Sequence, residues 1–317
     1  MRILVTGGAG FIGHHLVHAL LARGEEVAVI DDFSTGDRSR LEPMHARIAL
    51  IEGSVLDDGA LDDATAGCDV ILHQAAIPSV ARSLVSPLLT HEVNAGGTIH
   101  VMLAAARHRV RRVVLAGSSS VYGVPSELPC RESQRPAPVS PYGASKLAAE
   151  HYAHTLGVHH GVETVVLRYF NVFGPGQDPR SEYAAVVPRF ITAVLQGVQP
   201  VIYGSAEISR DFTYVDNVVQ ANILASQHPG ISGLTCNIAC GSRYSLAELL
   251  NTICAAVGRR VDPLLGPPRP GDIAHSEADI GMASRLLGYT IAVPFHEGII
   301  RTVTWYRETA GLPRGET

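Results

Sequence analysis

The sequence predicts an α/β protein, a doubly wound parallel sheet joined to a smaller mixed α/β lobe. Short β-branched runs alternate with helical patterns over the first two thirds of the chain, the order that a parallel sheet covered by helices requires. A cluster of glycines follows the first of these runs and opens a helix. Beyond residue 168 the character changes to Gly/Pro-rich segments, Phe173-Gly174-Pro175-Gly176-Gln177-Asp178-Pro179 and later Leu264-Leu265-Gly266-Pro267-Pro268-Arg269-Pro270-Gly271, which read as loops of fixed geometry.

Taken in order, the expected strands are 2–6, 27–30, 48–51, 70–72, 113–116 and 164–167. A first helix is expected from about Gly13 to Arg23, stopping at Gly24, a residue suited to the left-handed cap position. A chain of 317 residues exceeds the usual size of one hydrophobic core. The expected division is a first lobe of residues 1–167 and 212–239 and a second of 168–211 and 240–317, so that the chain leaves the first lobe and re-enters it.

Hydrophobic residues make up 46% and charged residues 17% of the chain, an ordinary globular composition. A net charge of −5 gives no electrostatic reason to bind nucleic acid or an anionic membrane. The basic run Arg107-His108-Arg109-Val110-Arg111-Arg112 reads as compensation of a helix C-terminus. No apolar run approaches a membrane span, and the glycine cluster begins at Gly7, too early for a leader peptide. Five cysteines, an odd number in a long chain, read as reduced cytoplasmic thiols; Cys236 and Cys240 read as core. The pairs His14/His15 and His151/His154 have no carboxylate or thiol at ligand spacing, so no metal is expected; the second pair reads as solvated or dimer-facing.

The glycine cluster is Thr6-Gly7-Gly8-Ala9-Gly10-Phe11-Ile12-Gly13. Glycines 7, 10 and 13 permit a tight turn and close backbone approach, so a pyrophosphate can sit on the free N–H groups of the helix N-terminus. That is a Rossmann-type signature. The second strand ends in Asp31-Asp32, where a carboxylate can accept hydrogen bonds from ribose hydroxyls and would repel a 2′-phosphate. NAD is therefore the expected cofactor, with Asp31 favoured over Asp32.

Tyr142 and Lys146 stand four residues apart on a helix that starts after Pro141, hence on one face. The lysine charge would favour the phenolate and make Tyr142 a general base. The fifth strand ends in Ser118-Ser119-Ser120-Val121-Tyr122-Gly123, at the carboxyl end of the sheet, where ligand-binding groups gather.

With these residues the sequence resembles the extended short-chain dehydrogenase/reductases, and within them the UDP-hexose 4-epimerases. The resemblance spans nearly the whole chain and includes His73-Gln74-Ala75-Ala76, Ser140-Pro141-Tyr142-Gly143-Ala144-Ser145-Lys146, Leu167-Arg168-Tyr169-Phe170-Asn171, Ser209-Arg210-Asp211-Phe212-Thr213-Tyr214 and Arg269-Pro270-Gly271-Asp272. It implies a catalytic triad of Ser118, Tyr142 and Lys146. It implies cofactor contacts at Phe11, Ile12, Ser54, Val55, Ala75, Ala76, Asn94 and Tyr169, with Ser54 standing where an adenine-binding aspartate is common. For a UDP-sugar it implies Asn171, Arg210 and Arg269 at the diphosphate, Asp272 at the ribose, Tyr203 on the uracil, and Val187 in the same site.

The related dehydratases and decarboxylases place an acid just after the catalytic hydroxyl, where this chain has Ser119 and Ser120. Epimerisation, which needs only hydride transfer out and back, is then the expected reaction. The resemblance also places Ser276 beside the sugar's C2 substituent. Ser120, Gln177 and Ala185 occupy positions found in epimerases acting on N-acetylhexosamines. UDP-N-acetylglucosamine and UDP-N-acetylgalactosamine are the favoured pair, alongside UDP-glucose and UDP-galactose. The alternatives are another NDP-sugar modification, such as UDP-glucuronate 4-epimerisation or keto-sugar reduction, and, outside enzymes, an NAD-binding scaffold or sensor. A homodimer is implied through helices at about 85–109 and 142–158.

Overall fold

The computed structural model describes residues 1–179, 185–268 and 273–309. From the N-terminus run β1 (Arg2–Thr6), α1 (Phe11–Ala22), β2 (Glu26–Asp31), β3 (Ile48–Glu52), α2 (Asp58–Thr65) and β4 (Val70–His73). There follow α3 (Val80–Val85), α4 (Pro87–His91), α5 (Gly97–Arg107), β5 (Arg112–Ser118), α6 (Pro141–His160) and β6 (Glu163–Tyr169). The six expected strands are β1 to β6, each extended by at most two residues at an end. Next come β7 (Val172–Phe173), α7 (Val186–Gln196), β8 (Val201–Tyr203), β9 (Ser209–Arg210), β10 (Thr213–Tyr214) and α8 (Val215–Gln227). The chain closes with β11 (Leu234–Ile238), β12 (Tyr244–Ser245), α9 (Leu246–Val257), β13 (Leu264–Gly266), α10 (Gly281–Leu287) and α11 (Phe295–Thr309).

The main sheet has seven strands in the order β11-β6-β5-β4-β1-β2-β3, all paired in parallel. Strand order reverses between β1 and β4, and at such a switch point the helices leave to opposite faces and open a crevice at the strand carboxyl ends. Alternation along each strand builds the two layers. Ile3, Val5, Val27 and Val29 face one core with Leu16, Leu20 and Val218, whereas Leu4, Ala28 and Ile30 face the other with Val101, Met102 and Ala149.

A third apolar cluster, with Phe190, Phe212, Leu249 and Phe295, lies among α7, α9 and α11. Helix α10, within the 240–317 segment expected in the second lobe, packs Ala283 and Leu287 into the first cluster instead. Among the described residues, no helix is long and apolar enough to cross a membrane.

Candidate active site

A cleft opens at the switch point, and the glycines explain its floor. Gly7 has φ +68°, and a Cβ there would lie 2.8 Å from the backbone N and Cα of Ala75. A Cβ on Gly13 would collide with the Gly7 carbonyl and lie 2.8 Å from Gly8 Cα. These close approaches hold the turn from β1 into α1 against the β4 loop. Helix α1 starts at Phe11, two residues earlier than expected; its N-cap is Gly10, with no side-chain cap and no acid in the first turn. The helix therefore presents uncapped N–H groups and the positive end of its dipole, in a cradle that side chains would fill. A dinucleotide diphosphate fits these residues.

Asp31 ends β2 beside that cradle. It is buried, and it accepts hydrogen bonds from Ala9 N at 2.8 Å and Phe33 N at 2.9 Å. Burial raises its pKa, and the two N–H donors pull it back down. Each oxygen keeps a lone pair for a ribose hydroxyl. Asp32 also lines the cleft, but its Oδ1 caps a turn by accepting from Ser34 N and Oγ, as a solvated loop acid does.

Gly7, Gly10, Phe11, Ile12, Gly13, Val55, Ala75, Ala76 and Tyr169 all line the cleft as expected. Two cofactor expectations do not. Ser54 accepts from Leu56 N and is not in the lining, where Gly53 and Val55 stand on either side of it. Asn94 is buried behind it, in a π-helical turn at Glu92–Gly96. Its Oδ1 accepts from Ile77 N at 2.8 Å and its Nδ2 donates to Ser145 Oγ at 3.0 Å. Asn94 thus fixes Ile77, which with Pro78 forms part of the wall.

Ser118, Tyr142 and Lys146 come together on the opposite wall. Ser140 caps α6 by accepting from Gly143 N at 3.1 Å, and Pro141 holds the first helical position. The Gly143 backbone packs against the Ser120 carbonyl, where a Cβ would come within 2.5 Å. This sets α6 against the end of β5. Lys146 Nζ donates to Ala116 O at 2.9 Å, which leaves two of its three N–H donors. Burial raises the Tyr142 pKa above its ordinary 10, and a hydrogen bond from Ser118 draws it down. Burial lowers Lys146 to about 8, while Glu150, one turn along α6, supports its charge. His73 beneath them is held neutral by burial, its pKa at about 3, between Thr6 Oγ1 at 2.7 Å and Thr98 Oγ1 at 3.1 Å.

On the substrate side Ser120, Asn171, Gln177 and Ala185 line the cleft. Asn171 Nδ2 donates to Asp211 O and to Ser276 Oγ, both at 3.1 Å. Ser276 therefore stands just behind Asn171 rather than in the lining. Val187 belongs to the apolar cluster of α7 and is buried there, because the start of α7 turns Ala185 outward and Val187 inward. Tyr203 on β8 lies outside this lining, with the Arg189 guanidinium 5.6 Å from its ring centroid. Arg210 Nη1 donates to Ser209 O and Ala274 O. Arg269 and Asp272 fall outside the described residues.

The structure also places in the lining a residue that sequence reasoning missed, Arg40. His154 departs from expectation as well: its ring bridges Thr164 Oγ1 at 2.9 Å and Thr235 Oγ1 at 2.8 Å, tying α6 to β6 and β11 rather than facing solvent. In the basic run, Arg107 pairs with Asp62 on α2, and Arg112 is buried against Glu163.

The model of the NAD dependent epimerase/dehydratase family matches residues 3–239. A UDP-glucose 4-epimerase of Mycolicibacterium smegmatis is 38% identical over 316 residues, 97% of this chain and 99% of that protein. Among solved structures, a UDP-N-acetylglucosamine 4-epimerase from Methanobrevibacter ruminantium, in complex with UDP-N-acetylmuramic acid, superposes with a TM-score of 0.92 at 36% identity, covering 97% of this chain and 98% of that one. A UDP-glucose 4-epimerase of Thermus thermophilus in complex with NAD gives 0.88 at 36%, covering 97% and 99%. With the glycine cradle, Asp31 and the Ser118/Tyr142/Lys146 set around one cleft, the chain belongs to the NAD dependent epimerase/dehydratase family, in its UDP-hexose 4-epimerase branch, and uses NAD.

Proposed function

We propose that the protein interconverts C4 epimers of a UDP-hexose, with UDP-N-acetylglucosamine and UDP-N-acetylgalactosamine as the preferred pair and the non-acetylated pair alongside. The observation that carries the reaction is the meeting of Ser118, Tyr142 and Lys146 at the cleft wall, with Ser119 and Ser120 where a dehydratase would need an acid. NAD, when bound in the Gly7–Gly13 cradle beside Asp31, would supply the hydride acceptor and donor that inversion at C4 needs. Tyr142 takes the proton of the C4 hydroxyl and later gives it back. Ser118 orients that hydroxyl, and Lys146 supplies positive charge beside a phenol that burial alone would keep neutral.

Gln177 supports the acetylated pair. Its Nε2 donates to Val172 O at 3.3 Å, which fixes the amide orientation. Its Oε1 is buried in the cleft wall with no partner among the described residues. An orphaned acceptor there is costly unless a ligand satisfies it, and an acetamido N–H is a suitable donor.

A homodimer fits the same reading. Val85 and Leu88 in the 85–109 segment and Tyr152 and Val158 in the 142–158 segment expected at the interface are exposed apolar side chains, and covering them removes that area from water.

The test is a panel of UDP-sugars incubated without added reductant and followed by NMR, with Tyr142→Phe beside the wild type. C4 epimer formation that falls by ~10²-fold or more in Tyr142→Phe is expected. Near-normal turnover in that variant would sink the assignment of the base.

A further inference from the structure

Three consecutive carbonyls of the loop after β7 are each held by a side chain from a different part of the chain. His15 Nε2 on α1 lies 2.9 Å from Pro175 O. Arg40 Nη2 donates to Gly176 O at 2.7 Å. The Tyr306 hydroxyl on α11 donates to Gln177 O. Gly176, at φ +80°, also sits so near α1 that a Cβ would lie 3.0 Å from His14 Cε1. The loop held in this way presents Gln177 to the cleft.

Among these three holders Arg40 alone also reaches the glycine loop, where Nη1 donates to Ala9 O at 2.9 Å. Ala9 N in turn donates to Asp31 Oδ2 at 2.8 Å. A continuous path, Asp31 to Ala9 to Arg40 to Gly176, thus joins the carboxylate at the ribose end of the cleft to the loop that faces the sugar. A guanidinium is a planar fork whose N–H directions are fixed. It serves both carbonyls only while the two loops keep their spacing, so any ligand that orders one loop favours the other. The Arg40 side chain is itself part of the lining, so the anionic diphosphate of a dinucleotide adds charge to the cleft that holds it.

We propose that Arg40 is a positioning residue that couples the cofactor seat to the Pro175–Gln177 segment, so that NAD and the uridine nucleotide bind cooperatively through it. The proposal rests on the reading of this cleft as an NAD and UDP-sugar site. Linkage requires that the factor by which UDP tightens NAD equal the factor by which NAD tightens UDP.

The experiment uses wild type, Arg40→Met, Arg40→Lys and Tyr306→Phe. UDP is titrated calorimetrically into NAD-loaded and NAD-depleted protein, and retained NAD is assayed after denaturation. In wild type, NAD is expected to tighten UDP by about 5-fold or more. Arg40→Met and Arg40→Lys should each bring that factor close to one and lower the NAD retained, the lysine because it keeps the charge without the fork. Tyr306→Phe loosens the same loop but leaves Arg40 bridging the two, so UDP should weaken while the factor by which NAD tightens UDP stays close to the wild-type value. Independent binding of the two ligands to wild type, or full coupling in either Arg40 variant, overturns the proposal. These readouts do not depend on turnover. A wild type that couples NAD and UDP yet epimerises no UDP-sugar defeats the functional reading alone, and one that epimerises without coupling defeats this inference alone.

Discussion

Arg168→Met removes one half of a buried ion pair whose other half, Glu150, lies on the helix that carries Tyr142 and Lys146. Arg168 Nε lies 3.2 Å from both Glu150 oxygens, and Nη2 donates to Oε2 at 2.8 Å. Nη1 donates to the Tyr122 hydroxyl at 2.9 Å, which in turn donates a hydrogen bond to Asn237 Oδ1 at 2.7 Å. Both charged side chains are more than nine-tenths buried. Removing the guanidinium leaves the Glu150 carboxylate in a dry site with Lys146 as its neighbouring cation, and takes one donor from Tyr122. Breaking a buried pair in this way costs ~3–5 kcal/mol. At roughly 2–4 °C per kcal/mol for a large domain, Tm should fall by roughly 6–20 °C. The assay is denaturant unfolding at fixed protein concentration with NAD removed, since bound cofactor stabilises by mass action. The double variant Glu150→Leu/Arg168→Met replaces the pair by apolar groups and should recover most of the loss, while turnover stays low because Lys146 has lost its supporting acid. A single variant that costs less than ~1 kcal/mol, or a double variant less stable than the single, would refute the argument that desolvation dominates this pair.

Acid should destabilise the protein through buried histidines. His14 and His73 are held by burial at about 3, against an ordinary 6.5. Below pH 6.5 the unfolded chain therefore binds protons that the native state refuses, and stability falls as pH falls across the window from 6.5 to 3. Between pH 6.5 and 5.5 each such histidine costs about 1 kcal/mol. His14→Ser should reduce the measured drop in unfolding free energy by that amount, and an unchanged drop would contradict the assignment. If the proposed homodimer forms, Leu88→Glu, at one of the most exposed apolar positions, should leave a monomer by light scattering; a monomeric wild type at micromolar concentration counts against that proposal. Ser276→Tyr should crowd Asn171, whose Nδ2 now reaches the Ser276 hydroxyl, and cost the acetylated substrate ~1–3 kcal/mol of kcat/KM relative to the plain one. A wild-type ratio in that variant would remove Ser276 from the specificity argument.

The parts of the site that could be read in the sequence are those whose geometry is set within a few residues. The Tyr142/Lys146 spacing is one helical turn, so a helix starting at Pro141 is enough to place both on the wall. Gly7, Gly10 and Gly13 lie on one turn from strand to helix, and their conformational needs are local. Asp31 follows from the end of β2. Positions that depend on where two distant segments meet could not be read in this way. Val187 and Ala185 are two residues apart, and only the packing of α7 against α9 decides which of them faces the cleft. Ser54 looks like a wall residue until its hydroxyl is seen to close its own turn.

Arg40 illustrates the limit most sharply. It sits in a short 3₁₀ segment (Arg38–Arg40) with no periodicity to orient it, and its two carbonyl partners are 31 and 136 residues away in sequence. Nothing local distinguishes it from Arg38, which pairs with Glu52 at the surface. What separates them is the crossing of the loop after β7 over the start of α1, where His15 and Arg40 bond its carbonyls and Phe11 packs beside Gly174. The Phe11 side chain packs with the apolar cluster of α7, α9 and α11, and a Cβ on Gly174 would lie 3.7 Å from its ring. Phe11, the residue after the Gly10 N-cap, thus lines the cleft and also packs against the apolar cluster of α7, α9 and α11. For that reason the glycine loop and the loop after β7 run side by side, within reach of one guanidinium.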